Sequence, residues 1–346
     1  MNPRIHLRLA ALLLLVAPAV PGFAWDYEGH RIINQLALAG LPADFPAFAR
    51  TPEATARIAF LAGEPDRWRN SADRSLQNDN NPNHYLDLEQ LGWAGLDPAK
   101  VSPLRYTFAL QFAAGRAAHP QVFPPVDPAK DGDGTREWPG FLPWKITEDT
   151  ARLQSQFSYL KAFEQGGGTA EEIANAQANI IYVMGVMGHY VGDGSQPLHV
   201  TVHHHGWVGD NPHGYTTDGR FHAWIDGGFI ARADIRFAPL KPQARAAAVV
   251  GSGGGSDALF RAVMNYLLVQ NQRVEPLYEL EKEGKLRADG SPGSFDGKGF
   301  IEEQLLRGGQ MLGSLWLTAW RTAPSDHYLL EQLARRNAAA PAPAAK

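Results

Sequence analysis

The sequence predicts an all-α protein, with a single, mostly helical domain over residues 25–334. Three observations carry that reading. Apolar residues recur at helical spacing along most of the chain. Several of these stretches open on Ser, Thr, Asp or Pro and close at Gly, as helix ends do. Alternating strand patterns are nearly absent, with short candidates only around residues 199–221. With 44% hydrophobic and 20% charged residues, the chain has the composition of a packed globular protein.

Residues 1–24, MNPRIHLRLAALLLLVAPAVPGFA, have the parts of a secretory signal peptide. Arg4 and Arg8 make its start basic, Leu9 to Val20 is mostly apolar, and Gly22 and Ala24 are small residues at cleavage spacing. A membrane anchor needs about 20 apolar residues, more than this stretch supplies. Cleavage between Ala24 and Trp25 is therefore expected, giving a periplasmic or secreted protein, with an uncleaved anchor as the alternative. The chain has no cysteine, so no disulfide can staple it even where the compartment allows one. Core burial and bound metal are the remaining sources of stability. The leader holds two basic residues and no acid, so its removal moves the net charge from −4 to −6. That balance argues against a partner held by a basic surface, unless bound cations supply the positive charge.

Helices are expected to begin near Glu28 (EGHRIINQLALAGL), Pro52 (PEATARIAFLAG), Ser102 (SPLRYTFALQFAAG) and Pro143 (PWKITEDTARLQSQFSYLKAFEQ). Three more run through TAEEIANAQANIIYVMGVMGHYVGD, SDALFRAVMNYLLVQNQRVEPLYELEKEG and GFIEEQLLRGGQMLGSLWLTAWRTA. Between them, HPQVFPPVDPAKDGDGTREWP reads as a surface excursion. Its DGDG lacks the closing Glu that a calcium loop requires. GSGGGSD at 251–257 reads as flexible, and residues 335–346 as a low-complexity, disordered tail.

One helix is unusual. IIYVMGVMGHYVGDGSQPLH, residues 180–199, is apolar nearly all round. Ile180, Met184, Met187 and Val191 share a stripe, and Ile181, Tyr182 and Val186 cover much of the rest, as in a buried helix. His189 and Asp193 stand four apart on it and point the same way, into the interior. A buried carboxylate needs a partner, and no Lys or Arg lies between Ile180 and Arg220. Either the two side chains form a hydrogen-bonded pair, or a metal ion supplies the charge. The company nearby favours metal. Gly192 and Gly194 loosen the helix end, Pro197 stops it and His199 follows; RFHAWIDGG then adds His222 and Asp226, again four apart. These nitrogen and oxygen donors suit zinc or another transition ion better than calcium. His30, Asp66, His84 and Asp87 extend the constellation into the N-terminal half.

Together these residues resemble the trinuclear-zinc phosphodiesterases. That superfamily contains the zinc-dependent bacterial phospholipases C and the fungal and plant type I nucleases, which are single-strand-specific and have 3′-nucleotidase activity. The likeness runs from about Trp25 to Asp226. Its motifs are Trp25, Gly29 and His30 at one end, then His189, Asp193, Gln196, Pro197, Leu198 and His199. The resemblance implies three zinc ions. Trp25, through its freed α-amine and carbonyl oxygen, would hold the first with His30. Asp66, His84 and His189 would hold the second, Asp193 would bridge these two, and His199, His222 and Asp226 would hold the third. Asp73 and Asp79 are alternatives to Asp66, because the interval from Asp66 to His84 is long. A hydroxide between the two closer ions would attack phosphorus, with Asp193 and Arg69 serving catalysis.

Arg69, Asp226 and the short interval from Trp25 to His30 resemble the nuclease branch. There Tyr85 would stack a base and Asp87 would meet the sugar hydroxyl, with plain core packing as the alternative for Tyr85. The implied substrate is single-stranded DNA or RNA, or nucleotides. A phospholipase C acting on phosphatidylcholine-type lipid is the alternative, and a zinc-binding module without turnover is a third reading. A monomer without a stable protein partner is expected. The 119–148 excursion has no clear nuclease counterpart, and His203 to His205 read as a solvated loop.

Overall fold

The computed structural model describes residues 25–253 and 255–339. The expected signal peptide and residues 340–346 lie outside the described residues. Those described are helical and contain no strand, so the all-α expectation holds. The strand candidates at 199–221 are instead a 3-10 turn, Pro197–Val200, followed by turns and bends. No helix of the described residues is long and apolar enough to cross a membrane.

The first helices run α1 (Tyr27–Gly40), α2 (Pro52–Leu61), α3 (Glu64–Arg69), α4 (Arg74–Asn80), α5 (Leu88–Trp93) and α6 (Arg105–Ala118). The two long central ones, α7 (Leu142–Gly166) and α8 (Ala170–Asp193), follow. Short α9 (Phe221–Ala223) and α10 (Ile230–Arg232) flank a π-helical turn, Trp224–Phe229. The chain closes with α11 (Phe237–Leu240), α12 (Gly255–Asn271), α13 (Val274–Lys282), α14 (Lys298–Thr322) and α15 (His327–Ala339).

Local chemistry sets these boundaries. The Asp26 side chain accepts the Tyr27 N–H at the start of α1, and Thr51 caps α2 ahead of Pro52. Thr169 and Glu172 form a reciprocal capping box on α8. Helix α6 starts later than Ser102 because the Ser102 hydroxyl accepts the Leu104 N–H in a turn of 3.2 Å. The expected long helix over 256–284 breaks where Arg273 N–H donates to the Gln270 carbonyl at 2.9 Å, giving α12 and α13. The tail expected from Arg335 is instead helical to Ala339, with Leu333 buried and Arg336 paired with Glu172.

Helix α8 is the axis of the molecule. It packs against α7 and α2, while α14 runs along α1 and also touches α7 and α8. Gly309 of α14 allows the α1 contact, since a Cβ there would lie 2.6 Å from that of Leu36. From Met184 to Asp193 every residue of α8 is buried. Its preceding turn is less enclosed than the apolar pattern suggests, with Tyr182 42% exposed. The core continues through Trp144, Trp316, Phe157 and Phe260, each fully buried; such side chains contribute about 1.5–3 kcal/mol apiece.

Candidate metal centre

Three segments meet the last turn of α8. It carries His189 and Asp193, both fully buried. Helix α1 brings His30, whose ring stacks on His189 with centroids 3.8 Å apart. Gly192 makes that approach possible, because a Cβ there would stand 2.6 Å from His30 Nδ1. Its role is to admit His30, rather than to loosen the helix end. Helix α3 supplies Asp66, and the 3-10 turn Asn81–His84 supplies His84.

The ligand atoms converge. His84 Nδ1 lies 3.0 Å from Asp193 Oδ2 and 3.1 Å from His189 Nε2. His189 Nε2 is 3.5 Å from Asp193 Oδ2 and 3.7 Å from Asp66 Oδ1. On the other side of the carboxylate, His30 Nε2 is 3.4 Å from Asp193 Oδ1. A tetrahedral ion with bonds near 2.0–2.1 Å spaces its ligand atoms by about 3.3 Å, so these separations fit. Asp193 thus faces two sets of donors, one with each oxygen. His30 also falls within reach of Asp66 and His189, a grouping that the sequence did not suggest. Asp73 and Asp79 are exposed, and Asp73 caps α4, which leaves Asp66 as the aspartate at this site.

A second cluster lies beside the first. His199 Nε2 is 2.9 Å from His222 Nε2, and His222 Nε2 is 2.9 Å from Asp226 Oδ2. Asp226 sits on the π-helical turn, a distortion frequent at functional sites. The Gln196 side-chain amide donates to Asp226 Oδ1 at 2.6 Å while its carbonyl oxygen accepts the Leu198 N–H. Trp25 is fully buried, and its indole donates to Ser195 Oγ at 2.9 Å. The next residue, Asp26, donates its backbone N–H to the Asp226 carbonyl at 3.0 Å. The expected mature N-terminus therefore lies against the cluster's own segments.

Two of the rings, His189 and His199, are fixed on their far sides as metal ligands require. His189 Nδ1–H donates to the Ala62 carbonyl at 2.7 Å, and His199 Nδ1–H to the His84 carbonyl at 2.6 Å. Each bond turns the Nε2 lone pair towards other acceptors. Asp66 Oδ1, Asp193 Oδ1 and Asp226 Oδ2 are buried and accept no hydrogen bond among the described residues. Lone pairs facing buried carboxylate oxygens repel unless a cation lies between them. Burial holds His189 down to about 4, His222 to about 3, and His84 and His199 well below the ordinary range. Neutral imidazole is the form that binds metal. Burial drives the Asp193 and Asp226 carboxyls well up, a penalty that a cation removes. The buried His/Asp groups could therefore hold metal ions.

The clusters open into a cleft of about 790 Å³ whose lining includes Arg69, His84, Tyr85, Asp87, His199 and His222. Arg69 Nε stands 3.7 Å from Asp66 Oδ1. Tyr85 is half-buried, while Asp87 is buried and accepts from Gln90 at 2.7 Å. The triple histidine is built into the site rather than solvated as a whole. His204 Nδ1 lies 3.6 Å from Asp87 Oδ1, His203 stacks on Trp207, and exposed His205 sits 5.4 Å from the His222 ring. Sequence reasoning thus missed His204 and gave Gln196 no role, although its place in the QPLH stretch marked it. No family model matches the chain, and none of the curated proteins compared with it matches.

Proposed function

We propose that the chain is a zinc-dependent phosphodiesterase that hydrolyses single-stranded nucleic acid. One observation carries the reading: two buried clusters of converging imidazole nitrogens and carboxylate oxygens reach an open cleft through His84, His199 and His222. Cysteine-free His/Asp ligand sets are those of hydrolytic rather than structural zinc. The first cluster would take ions through His30, Asp66, His84, His189 and Asp193, with Trp25 completing it once its amine is free. The second would take one through His199, His222 and Asp226. Bound zinc supplies Lewis acidity towards phosphoryl oxygens and a water acidified to a pKa of about 7.

The chain's own residues do the rest. Arg69 holds a phosphate oxygen over the first cluster. Tyr85 presents a ring face to a base, a contact worth about 1–3 kcal/mol whatever the base. Asp87, fixed by Gln90 and His204, accepts from the sugar hydroxyl. With a net charge of −6 after leader removal, the surface offers little general attraction for a polyanion, so recognition rests on the cleft.

A second reading, phospholipase C, is favoured by one feature. Helix α6, whose Arg116 lines the cleft, leaves Tyr106 and Leu110 exposed at 84% and 75%, with Leu104 just ahead of it at 66%, which suits a lipid interface. The test is side-by-side turnover of single-stranded DNA, RNA and short-chain phosphatidylcholine by zinc-loaded protein beginning at Trp25. Nucleic-acid cleavage is expected. Lipid cleavage alone would move the reading to the phospholipase. Zinc binding without turnover of any of them would leave a metal-binding module.

A further inference from the structure

The cleft does not end at Tyr85. It shares a wall, formed by Arg116, Pro124, Pro125, Val126 and Trp138, with a groove of about 620 Å³. Each volume falls in the range of small-molecule sites. The groove is built by the 119–141 excursion against α6, with Phe112 and Phe123 buried in its floor. Trp138 is half-buried at the junction, its ring 5.7 Å from that of Phe141 and 6.4 Å from that of Phe112. The Arg116 guanidinium lies over Phe123, 4.5 Å from the ring centre.

The excursion is anchored, not draped. Asn78 donates to the Asp133 carbonyl at 2.8 Å, and Asn81 to the Asp133 carboxylate. Asp87 N–H donates to the Pro139 carbonyl at 2.7 Å, and Leu142 N–H to that of Tyr85 at 3.2 Å. Trp138 is thereby strung next to the Tyr85–Asp87 segment in a fixed relation.

We propose that this groove is a second base-binding subsite, in which Trp138 stacks a nucleobase beyond the scissile phosphate and Arg116 meets the intervening phosphate. The proposal rests on the nuclease reading. The groove's chemistry selects its occupant. Arg116 and Glu137 both line it, and a hydrocarbon chain would strip water from them without replacing it. A nucleotide brings a π-face for the aromatic wall and an anion for the guanidinium. A duplex keeps its bases stacked inside, so the subsite reads only an unpaired strand.

The experiment compares KM for a dinucleotide and for a hexanucleotide in wild type, Trp138→Ala, Trp138→Phe and Arg116→Gln. Anisotropy of labelled hexathymidylate with cleavage-resistant linkages, on zinc-loaded protein, gives Kd without catalysis. Trp138→Ala should raise KM for the hexanucleotide about tenfold more than for the dinucleotide, within the range of one stacked base. It should weaken Kd similarly, and Trp138→Phe should restore both. Arg116→Gln should flatten the salt dependence of Kd. If nucleic acid is cleaved but Trp138→Ala affects both lengths equally, the subsite is wrong and the nuclease reading stands. If wild type neither binds nor cleaves nucleic acid, both fall. Cleavage of phosphatidylcholine with a Trp138→Ala effect that grows with acyl length would assign the groove to a hydrocarbon chain.

Discussion

Gln196 touches no substrate group, yet it holds Asp226 Oδ1 at 2.6 Å and is itself held by the Leu198 N–H. Partners of this kind typically govern metal affinity by 10–100-fold. Gln196→Ala should therefore weaken one metal site by about that factor while the others stay filled, as competition with a chelator would show. A second residue-scale prediction concerns protons. His84, His189, His199 and His222 all titrate below the unfolded value of about 6.5. Between pH 6.5 and about 4 the unfolded chain therefore binds protons that these rings refuse, so stability falls as pH falls. Asp87, Asp193 and Asp226 are shifted up by burial and act oppositely, but His203 and His205 are lowered as well, so six rings outnumber three carboxyls. Metal-stripped protein should lose thermal stability over that window. A calorimetric Tm that rose on acidification would contradict the assignment.

At the scale of elements, α8 is both a core helix and the platform for two ligands, and Gly192 is where those demands meet. Ala is the better helix former by about 1 kcal/mol, so Gly192→Ala would raise Tm if only the helix mattered. We expect it instead to displace His30 and lower the metal content per chain, with the circular dichroism unchanged. Elemental analysis alongside melting would separate the two outcomes. Helix α8 also shows what sequence can reveal. An i, i+4 His/Asp pair inside an apolar run is a local pattern, as are the caps of α1, α2 and α8, and all were legible. Other features rest on contacts between distant segments. The Asn78 and Asn81 bonds that pin the excursion, the Asp87–His204 pair and the seat of Leu333 that stabilises α15 have no periodicity to betray them. The splitting of 256–284 into two helices falls at Arg273, just ahead of Pro276, which has no N–H for the Gln272 carbonyl; that breaker was in the sequence, and the apolar periodicity on either side hid it.

For the whole molecule, the placement of Trp25 matters most. It is buried against Ser195, and its neighbour Asp26 is bonded to the Asp226 backbone. Protein expressed with Met left ahead of Trp25 should bind one metal fewer than protein that starts at Trp25 and lose most of its activity. Full metal content in the extended form would remove Trp25 from the ligand set. The chain also has no cysteine, whereas His84 and Asp193 meet across 109 residues of sequence and His199 and His222 across 23. An ion at each cluster would close a long loop in the unfolded ensemble, where loop closure stabilises most in principle. For this protein, then, a chelator should act as a reducing agent acts on a disulfide-bonded one. It would cut the cross-links, lower Tm, and loosen first the segments that only the metal ties to α8.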